Sequence, residues 1–263
     1  MRTNKVKKLL LALLLISMGF KGNAQLSEVE SGVYKWAELP IKEGSQRIGR
    51  NIMEGSSPHF EFLEMHATTQ KKGAKQSPPH IQKNKEELII VKEGLMKMTL
   101  DGKSKILPVG SIILIPPLVE QSMENVGDGP MTYYVMIFKS KKTMNIERGV
   151  KAGGPMFMNF DDLEFETTSK GGRIHYFERP TAMCEKFEMH VTQLNKKGPS
   201  HKPHAHIDSE IILVIEGQTE MIINGNTHTG SEGDLFFMKS NEFHGISNAA
   251  NTSCRYFVIR WKA

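Results

Sequence analysis

The sequence predicts an all-β protein built from two tandem barrels of the jelly-roll type. Two observations favour this fold class. The first is a succession of short β-prone runs, separated by Gly, Pro or Asn-Gly turns, without any long segment of helical periodicity. The second is an internal repeat with an offset of 123 residues, which covers most of the chain. Short strands at this spacing are typical of antiparallel barrels and sandwiches.

Residues 1–24 are typical of a secretory signal peptide. Four basic side chains precede an aliphatic run over Leu9–Ile16, and Gly22-Asn-Ala24 places small residues before a cleavage site at Gln25. We therefore expect an exported protein, either periplasmic or secreted. The aliphatic run is too short to span a bilayer, and no later segment is a transmembrane candidate. The mature chain is thus expected to carry no membrane anchor.

The positive charge of the chain lies in this leader. The formal net charge is +5, and the leader holds five of the 34 Lys and Arg residues. Without them, 29 basic residues face 29 acidic ones, so the mature chain is formally neutral. No basic stripe remains, and we expect no nucleic-acid partner.

The repeat is carried by matched residues in the two halves. Glu87, Gly94, Gly110, Gln121 and Asn125 recur 123 residues later as Glu210, Gly217, Gly233, His244 and Asn248. Trp36-x-x-Leu39 and Glu64-Met-His66 recur 124 residues later as Phe160-x-x-Leu163 and Glu188-Met-His190. The hairpin signal Asp101-Gly102 returns as Asn224-Gly225. We therefore predict one domain over residues 25–145 and a second over 146–263, connected through the segment 139–155.

The β-prone runs predict the strands of each domain. In the first half they are Phe60–Thr69, Glu87–Val91, Leu95–Leu100, Ser111–Ile115 and Thr132–Phe138, with counterparts in the second half.

Three histidines and one glutamate in the second half are spaced as ligands of one metal ion. His204 and His206 are two residues apart, so their imidazoles leave the same face of an extended strand. Glu210 follows four residues later, and His244 arrives from a second segment. A mixed nitrogen and oxygen set suits a divalent transition metal and leaves coordination positions open. The alternative is a histidine pair that only packs or lies at the surface, but four ligand types together favour a metal.

These segments resemble the two motifs of the cupin superfamily. Gly198 to Gly217 follows Gly-x5-His-x-His-x3-Glu-x6-Gly, and Gly233 to Asn248 follows most of Gly-x5-Pro-x-Gly-x2-His-x3-Asn. Lys239 and Asn241 replace the Pro and Gly of the second motif, so the turn before His244 is expected to differ in shape. The resemblance implies a secreted two-domain cupin, a bicupin, whose metal ligands are His204, His206, Glu210 and His244.

The first half keeps the scaffold but only part of this ligand set. Its corresponding positions hold His80, Gln82, Glu87 and Gln121. Gln82 stands in place of His206 and Gln121 in place of His244, and an amide oxygen is a poor substitute for imidazole at a transition metal. Either this degenerate site is retuned for another ion or a neutral ligand, or it is a decayed copy kept for packing. The pattern favours the decayed copy.

Other histidines and the cysteines allow weaker predictions. His201 lies three residues before His204 and is a candidate acid/base or pocket-lining group, the alternative being a solvated loop histidine. His66 and His190 are assigned structural roles, because the first copy keeps its histidine although other ligands are gone. Cys184 and Cys254 either form a disulfide or remain buried thiols.

The resemblance implies a metalloenzyme that uses one divalent transition metal, Zn, Cu, Ni, Fe or Mn, on a small oxygen-rich metabolite. Related cupin sites perform oxygenation, isomerisation, lyase chemistry, decarboxylation and amine hydrolysis, and ureidoglycine aminohydrolase shares the secreted bicupin layout. The alternative is a non-catalytic protein that binds a sugar or a carboxylate through its metal. A homodimer through edge strands is also expected. Fold and ligands alone do not choose among these reactions.

Overall fold

The computed structural model describes residues 26–263, which are almost entirely β-structure; the predicted signal peptide and its cleavage site lie outside these residues. The first half contributes β1 Gly32–Tyr34, β2 Ile41–Glu43, β3 Arg47–Gly55, β4 Phe60–Gln70, β5 His80–Ile81, β6 Glu86–Glu93, β7 Met96–Leu100, β8 Lys103–Leu107, β9 Ile112–Ile115, β10 Glu120–Asn125 and β11 Met131–Ser140. A short helix, α1 Ile146–Lys151, follows.

The second half repeats this series of strands. It contributes β12 Met156–Met158, β13 Phe165–Thr168, β14 Gly171–Arg179, β15 Lys186–Leu194, β16 Gly198–Pro199, β17 Ser209–Glu216, β18 Thr219–Ile223, β19 Asn226–Gly230, β20 Leu235–Met238, β21 His244–Asn248 and β22 Cys254–Lys262. Single 3-10 turns lie at Trp36–Glu38 and Phe160–Asp162.

Each half folds into a barrel made of one seven-stranded and one four-stranded sheet. The first barrel has the strand orders β12-β9-β6-β11-β4-β3-β2 and β5-β10-β7-β8. The second has β1-β20-β17-β22-β15-β14-β13 and β16-β21-β18-β19. All the strand pairs are antiparallel, and the predicted all-β fold of two tandem jelly-roll barrels is confirmed.

The two barrels exchange an edge strand. Strand β1, near the start of the described chain, pairs with β20 of the second barrel, whereas β12 pairs with β9 of the first. Each exchanged segment also brings the aromatic residue of the repeat onto a glycine of the other barrel. Trp36 lies against Gly233 and Phe160 lies against Gly110, so closely that a Cβ atom at either glycine would clash with the ring. The predicted domain boundary at 145/146 stays a prediction, and strand pairing crosses it in both directions.

The two hairpin signals form the turns that the sequence predicts. Asp101 and Gly102 have φ values of +45° and +76°, and Asn224 and Gly225 have +50° and +84°. Two successive positive φ values define the type I′ turn, whose twist matches that of the flanking strands. These turns fix the register of β7 with β8 and of β18 with β19.

Strand alternation separates a shared core from two barrel interiors. On β22, Phe257, Ile259 and Trp261 belong to a cluster that draws residues from both barrels, whereas Tyr256 and Val258 point into the second barrel. Phe60 of the first barrel stacks on Trp261 with ring centroids 5.3 Å apart. The alternation of β22, β15 and β17 therefore decides which side chains can face a site inside the second barrel.

A buried carboxylate also joins the two halves. Glu86, at the start of β6, is fully buried, and its Oε2 accepts hydrogen bonds from Thr181 Oγ1 at 2.7 Å and from the backbone N–H of Met183 at 3.1 Å. Burial raises the pKa of Glu86 to about 7, against the opposing influence of these hydrogen bonds and of Arg179 and Arg148.

The two cysteines are separate buried thiols. Cys184 lies in the turn before β15 and Cys254 begins β22, and neither forms a disulfide. Burial raises the pKa of Cys254 to about 11 and raises that of Cys184 well above its usual value. Within residues 26–263, no helix has the length and apolar character needed to cross a membrane.

Candidate metal centre

The predicted ligands of the second barrel come together at the start of β17. His204 and His244 face each other across an isolated antiparallel bridge, in which each backbone N–H donates to the other residue's carbonyl. His206 lies in the loop that follows, and Glu210 is the second residue of β17. The two neighbouring histidines therefore occupy an extended loop held by one bridge, rather than the regular strand from which their common direction was predicted.

The three imidazoles converge on one point. One ring nitrogen from each of His204, His206 and His244 lies within 4.8 Å of the other two, and this is the one such group of histidine, cysteine or acidic residues in the described chain, 26–263. Glu210 Oε2 lies 3.0 Å from His206 Nε2 and 3.5 Å from His244 Nε2. The three imidazole nitrogens converge, and Glu210 borders two of them without belonging to the converging group, so its role as a fourth ligand stays a prediction.

Backbone carbonyls fix the orientation of two of these rings. His206 Nδ1 lies 3.0 Å from the carbonyl oxygen of Asp208, and His244 Nδ1 lies 2.8 Å from that of Glu242. If each Nδ1–H donates to its carbonyl, Nε2 carries the lone pair and faces the cluster. His244 Nε2 is buried and has no hydrogen-bond partner in the described chain, since its contact with Glu210 is too long. An orphaned nitrogen in this direction fits a metal ligand.

Charge interactions bind the cluster together. Burial opposes ionisation of Glu210, but its hydrogen bond with His206 and its closeness to His244 outweigh it and lower its pKa to about 2. For His244, burial opposes protonation, and the interaction with Glu210 outweighs it and raises the pKa. The pKa of His204 is lowered by burial and by its histidine neighbours. A divalent cation bound here would replace the proton that Glu210 favours on His244, because a histidine binds a metal through a deprotonated nitrogen.

The turn before His244 departs from the family motif in sequence. Asn241 has φ +64°, the left-handed conformation that glycine favours and that asparagine tolerates. Its backbone N–H donates to the carbonyl oxygen of His206 at 2.7 Å. The replacement of glycine by asparagine thus keeps a conformation that glycine would adopt, and it ties the turn to the ligand loop.

A cavity of about 520 Å³ opens beside the cluster. His204 and Glu210 form part of its wall, and Tyr256, Val258 and Arg260 of β22 form another part. Register explains this arrangement, because Glu210 pairs with Arg260, and Arg260 pairs in turn with Glu188 of β15. His204 and Glu210 therefore face a space large enough for a small molecule.

Arg260 is a residue that the sequence analysis missed. Its Nη2 donates to Asp208 Oδ2 at 2.8 Å, while Nη1 lies 3.8 Å from Glu188 and Nε lies 3.7 Å from Glu210. It belongs to a β-prone run like many others, and its place beside Glu210 depends on the pairing of β17 with β22.

His190 also lies in the cavity wall, although the sequence analysis assigned it only a structural role. Its Nδ1 lies 3.2 Å from Glu188 Oε1, and His66 and Glu64 form the corresponding contact in the first barrel at 2.8 Å. The hydrogen bond with His190 is the main reason that the pKa of Glu188 falls to about 2, against the effect of burial. The sequence signal for this contact was the spacing Glu-x-His, which places both side chains on one face of a strand.

His201 lies at the exposed end of the cavity. Its Nδ1 contacts the carbonyl oxygen of Lys202 at 3.0 Å, and its ring lies 4.6 Å from that of His204. The position suits a group that lines the mouth, and an acid/base role for His201 stays a prediction.

The first barrel does not assemble the same cluster. His80 pairs with Gln121 as His204 pairs with His244, and both His80 and His204 are exposed. Glu87 and Gln121 are buried, and both amide atoms of Gln121 lack a hydrogen-bond partner in the described chain. The carbonyl of Gln82 accepts from Leu118, as that of His206 does from Asn241. Within the described part of the first barrel, no three histidine, cysteine or acidic side chains converge.

Comparisons with known proteins agree with the two-barrel architecture. The family model described as "Cupin domain" matches residues 67–138 and again residues 190–260. No curated relative matches the chain in sequence. Among solved structures, AerE from Microcystis aeruginosa superposes with a TM-score of 0.66 at 13% identity, over 85% of this chain and 96% of its own.

Two enzymes of known structure show the same fold. The oxalate decarboxylase of Lactobacillus farciminis, in its formate complex, superposes with a TM-score of 0.67 at 13% identity, covering 89% of this chain and 86% of its own. The salicylate 1,2-dioxygenase of Pseudoaminobacter salicylatoxidans superposes with a TM-score of 0.61 at 18% identity, covering 88% and 84%. At these identities the similarity establishes the fold alone.

Proposed function

The chain belongs to the cupin family. We propose that its second barrel is the site of a metal-dependent enzyme that acts on a small, oxygen-bearing metabolite. One observation carries the proposal. The ring nitrogens of His204, His206 and His244 lie within 4.8 Å of one another beside the Glu210 carboxylate, and His204 and Glu210 line a cavity of about 520 Å³. A purely structural metal site would be closed to solvent, whereas this cluster borders open space.

His204, His206, Glu210 and His244 would hold one divalent transition metal, such as Zn, Cu, Ni, Fe or Mn. When bound, such a metal supplies Lewis-acid or redox chemistry to a ligand oxygen. The chain's own residues perform the remaining tasks. The carbonyls of Asp208 and Glu242 orient two imidazoles, and Glu210 provides a compensating negative charge.

The cavity wall offers groups that orient a metabolite and move a proton. Ile212, Ile246 and Val258 give it an apolar surface that excludes water from part of the site. Glu188 accepts a hydrogen bond from His190 Nδ1, so that Nε2 of His190 remains free to take or give a proton. His201, at the mouth, is a second candidate for this task.

The names of the solved relatives support an enzyme without selecting its reaction. Proteins with this fold include one that acts on oxalate and one that acts on salicylate. Their distance in sequence leaves decarboxylation, oxygenation, isomerisation, lyase and aminohydrolase chemistry open for this chain.

We extend the proposal to the export of the chain, its assembly into a homodimer and a first barrel that binds no metal. We propose that residues 1–24 direct the chain out of the cytoplasm, and that residues 25–145 and 146–263 form its two domains. A homodimer through edge strands remains part of the proposal. Strands β2 and β13 end the two large sheets, and the residues of both strands are exposed. The buried but unconverged Glu87 and Gln121 support a first barrel kept for packing.

The test is a turnover assay on metal-loaded protein. The mature chain, loaded in turn with each of the five metals, is offered oxalate, salicylate and ureidoglycine, and dioxygen uptake, carbon dioxide release and ammonia release are followed. We expect turnover by the wild type and by the control His80→Ala, and none by His206→Ala. Equal turnover by His206→Ala would contradict the proposal. Binding of a metal and a ligand without turnover would identify the non-catalytic binding protein instead.

A further inference from the structure

The cavity beside the metal cluster has an apolar wall and a cationic one. Ile212 and Val258 provide apolar surface, whereas Arg260 and Lys202 carry positive charge. The charge of the polar groups in this wall, and whether they already have hydrogen-bond partners, decide which class of ligand the cavity accepts.

Arg260 has more donors than the protein uses. Among the described residues, its one hydrogen bond runs from Nη2 to Asp208 Oδ2 at 2.8 Å. Its Nε is buried without an acceptor in the described chain, because the nearest Glu210 oxygen is 3.7 Å away. Nη1 lies 3.8 Å from Glu188, which is also beyond hydrogen-bond distance. A buried donor without a partner is unfavourable, so an oxygen atom supplied by a ligand would stabilise this wall.

The acids near Arg260 already have other partners. Glu188 contacts His190 at 3.2 Å and Lys186 at 3.2 Å, and Asp208 lies 3.8 Å from the same Lys186 nitrogen. Glu210 is held by His206 within the metal cluster. Glu210 is therefore the one carboxylate in the cavity wall, and as part of the metal cluster it would not be available to a cationic ligand.

Lys202 is the free charge at the mouth of the cavity. Within residues 26–263, its ammonium group forms no hydrogen bond and no ion pair. An exposed lysine of this kind attracts an anion to the opening. Deeper in the wall, the planar guanidinium of Arg260 can donate two parallel hydrogen bonds to the two oxygens of a carboxylate.

The first barrel provides an internal comparison. Ile137 pairs with Glu87 as Arg260 pairs with Glu210, so the position of the arginine is apolar there. At the 124-residue offset that matches His80 with His204, the position of Lys202 is held by Pro78. The barrel that lacks the histidine cluster also lacks both cationic groups, which links these groups to the ligand of the second barrel.

We propose that the second-barrel cavity binds a small organic carboxylate, recognised by Arg260 and Lys202. This inference rests on the proposed function, because it names the class of substrate for the same site. The ligand would place its carboxylate against the cationic wall and its carbon skeleton against Ile212 and Val258, with another oxygen directed towards the histidine cluster.

The test compares two probes of equal size and different charge. Succinate and its neutral analogue succinamide are titrated calorimetrically into the metal-loaded mature chain. We expect succinate to bind at least about 10-fold more tightly. Arg260→Lys, which keeps the charge but loses the fork and Nε, should weaken succinate binding about 10-fold, and Lys202→Met about 3-fold. Succinamide binding should not change in either variant.

Lys197→Met is the matched control, because Lys197 lies in the same loop but does not line this cavity; it should bind succinate like the wild type. Metal content is measured before and after each titration. Equal affinity for the two probes, or wild-type succinate affinity in both cavity variants, would overturn this inference and leave the proposed function untouched. Protein that takes up no metal would instead overturn the proposed function. If Arg260→Lys loses its metal, Lys202→Met still decides the result.

Discussion

Glu86 offers a quantitative test of how the two barrels are held together. Its carboxylate is fully buried between β6 and the Thr181–Met183 turn, and its pKa rises to about 7 from the ordinary value of 4.5. The folded protein therefore holds this proton more tightly than the unfolded chain does. The stabilising contribution is fully present below pH 4.5, and it is lost as the pH rises through 7.

The size of this effect follows from the pKa difference. At about 1.4 kcal/mol for each pKa unit, the rise from 4.5 to about 7 corresponds to roughly 3 kcal/mol of unfolding free energy. In Glu86→Gln the amide oxygen can still accept from Thr181 and Met183, but the side chain no longer titrates. Its unpartnered amide N–H lowers stability at every pH, and the pH-dependent part disappears.

The assay is urea unfolding of the metal-free protein at intervals from pH 4.5 to 8, followed by tryptophan fluorescence. The free energy of unfolding of the wild type, minus that of Glu86→Gln, should fall by roughly 3 kcal/mol across this range. Glu120→Gln, at an exposed position on the same barrel, controls for the loss of one negative charge. Parallel pH profiles for the wild type and Glu86→Gln would refute the reasoning.

Two further substitutions test the surroundings of the metal cluster. Arg260→Met leaves Asp208 without its charge-assisted hydrogen bond and should lower the unfolding free energy by roughly 2 kcal/mol in urea titrations. Arg255→Met, which loses two hydrogen bonds to one oxygen of the neutral Gln193, should cost about 1 kcal/mol. Equal losses would show that the charge of the partner does not matter. At φ +64°, Asn241→Val should cost about 1–2 kcal/mol of unfolding free energy and so lower the melting temperature. Asn241→Gly should change the melting temperature little. A valine variant as stable as the glycine variant would contradict the left-handed conformation of this turn.

Much of the architecture was predictable because its signals are local. Asp101-Gly102 and Asn224-Gly225 fix their hairpins through backbone conformations that few residues adopt. The spacing of His204, His206 and Glu210 identified the cluster because a short segment carries all three. His244 lies in a separate segment, and the resemblance to a known motif supported its assignment to the same cluster.

The residues that escaped prediction depend on long-range pairing. Arg260 stands beside Glu210 only because β22 lies between β15 and β17, and His190 enters the same cavity for the same reason. The exchange of β1 and β12 between the barrels depends on which sheet edge each segment reaches, which hydrophobic periodicity does not specify.

The most direct test of the account is the metal content of the mature chain, measured by elemental analysis on protein exported to the periplasm. We predict one equivalent of a divalent transition metal per chain in the wild type and in His80→Ala, and none in His206→Ala. Retention of the full equivalent by His206→Ala would contradict a centre built on the second barrel. Two equivalents in the wild type, one of them lost in His80→Ala, would show that the first barrel binds metal as well.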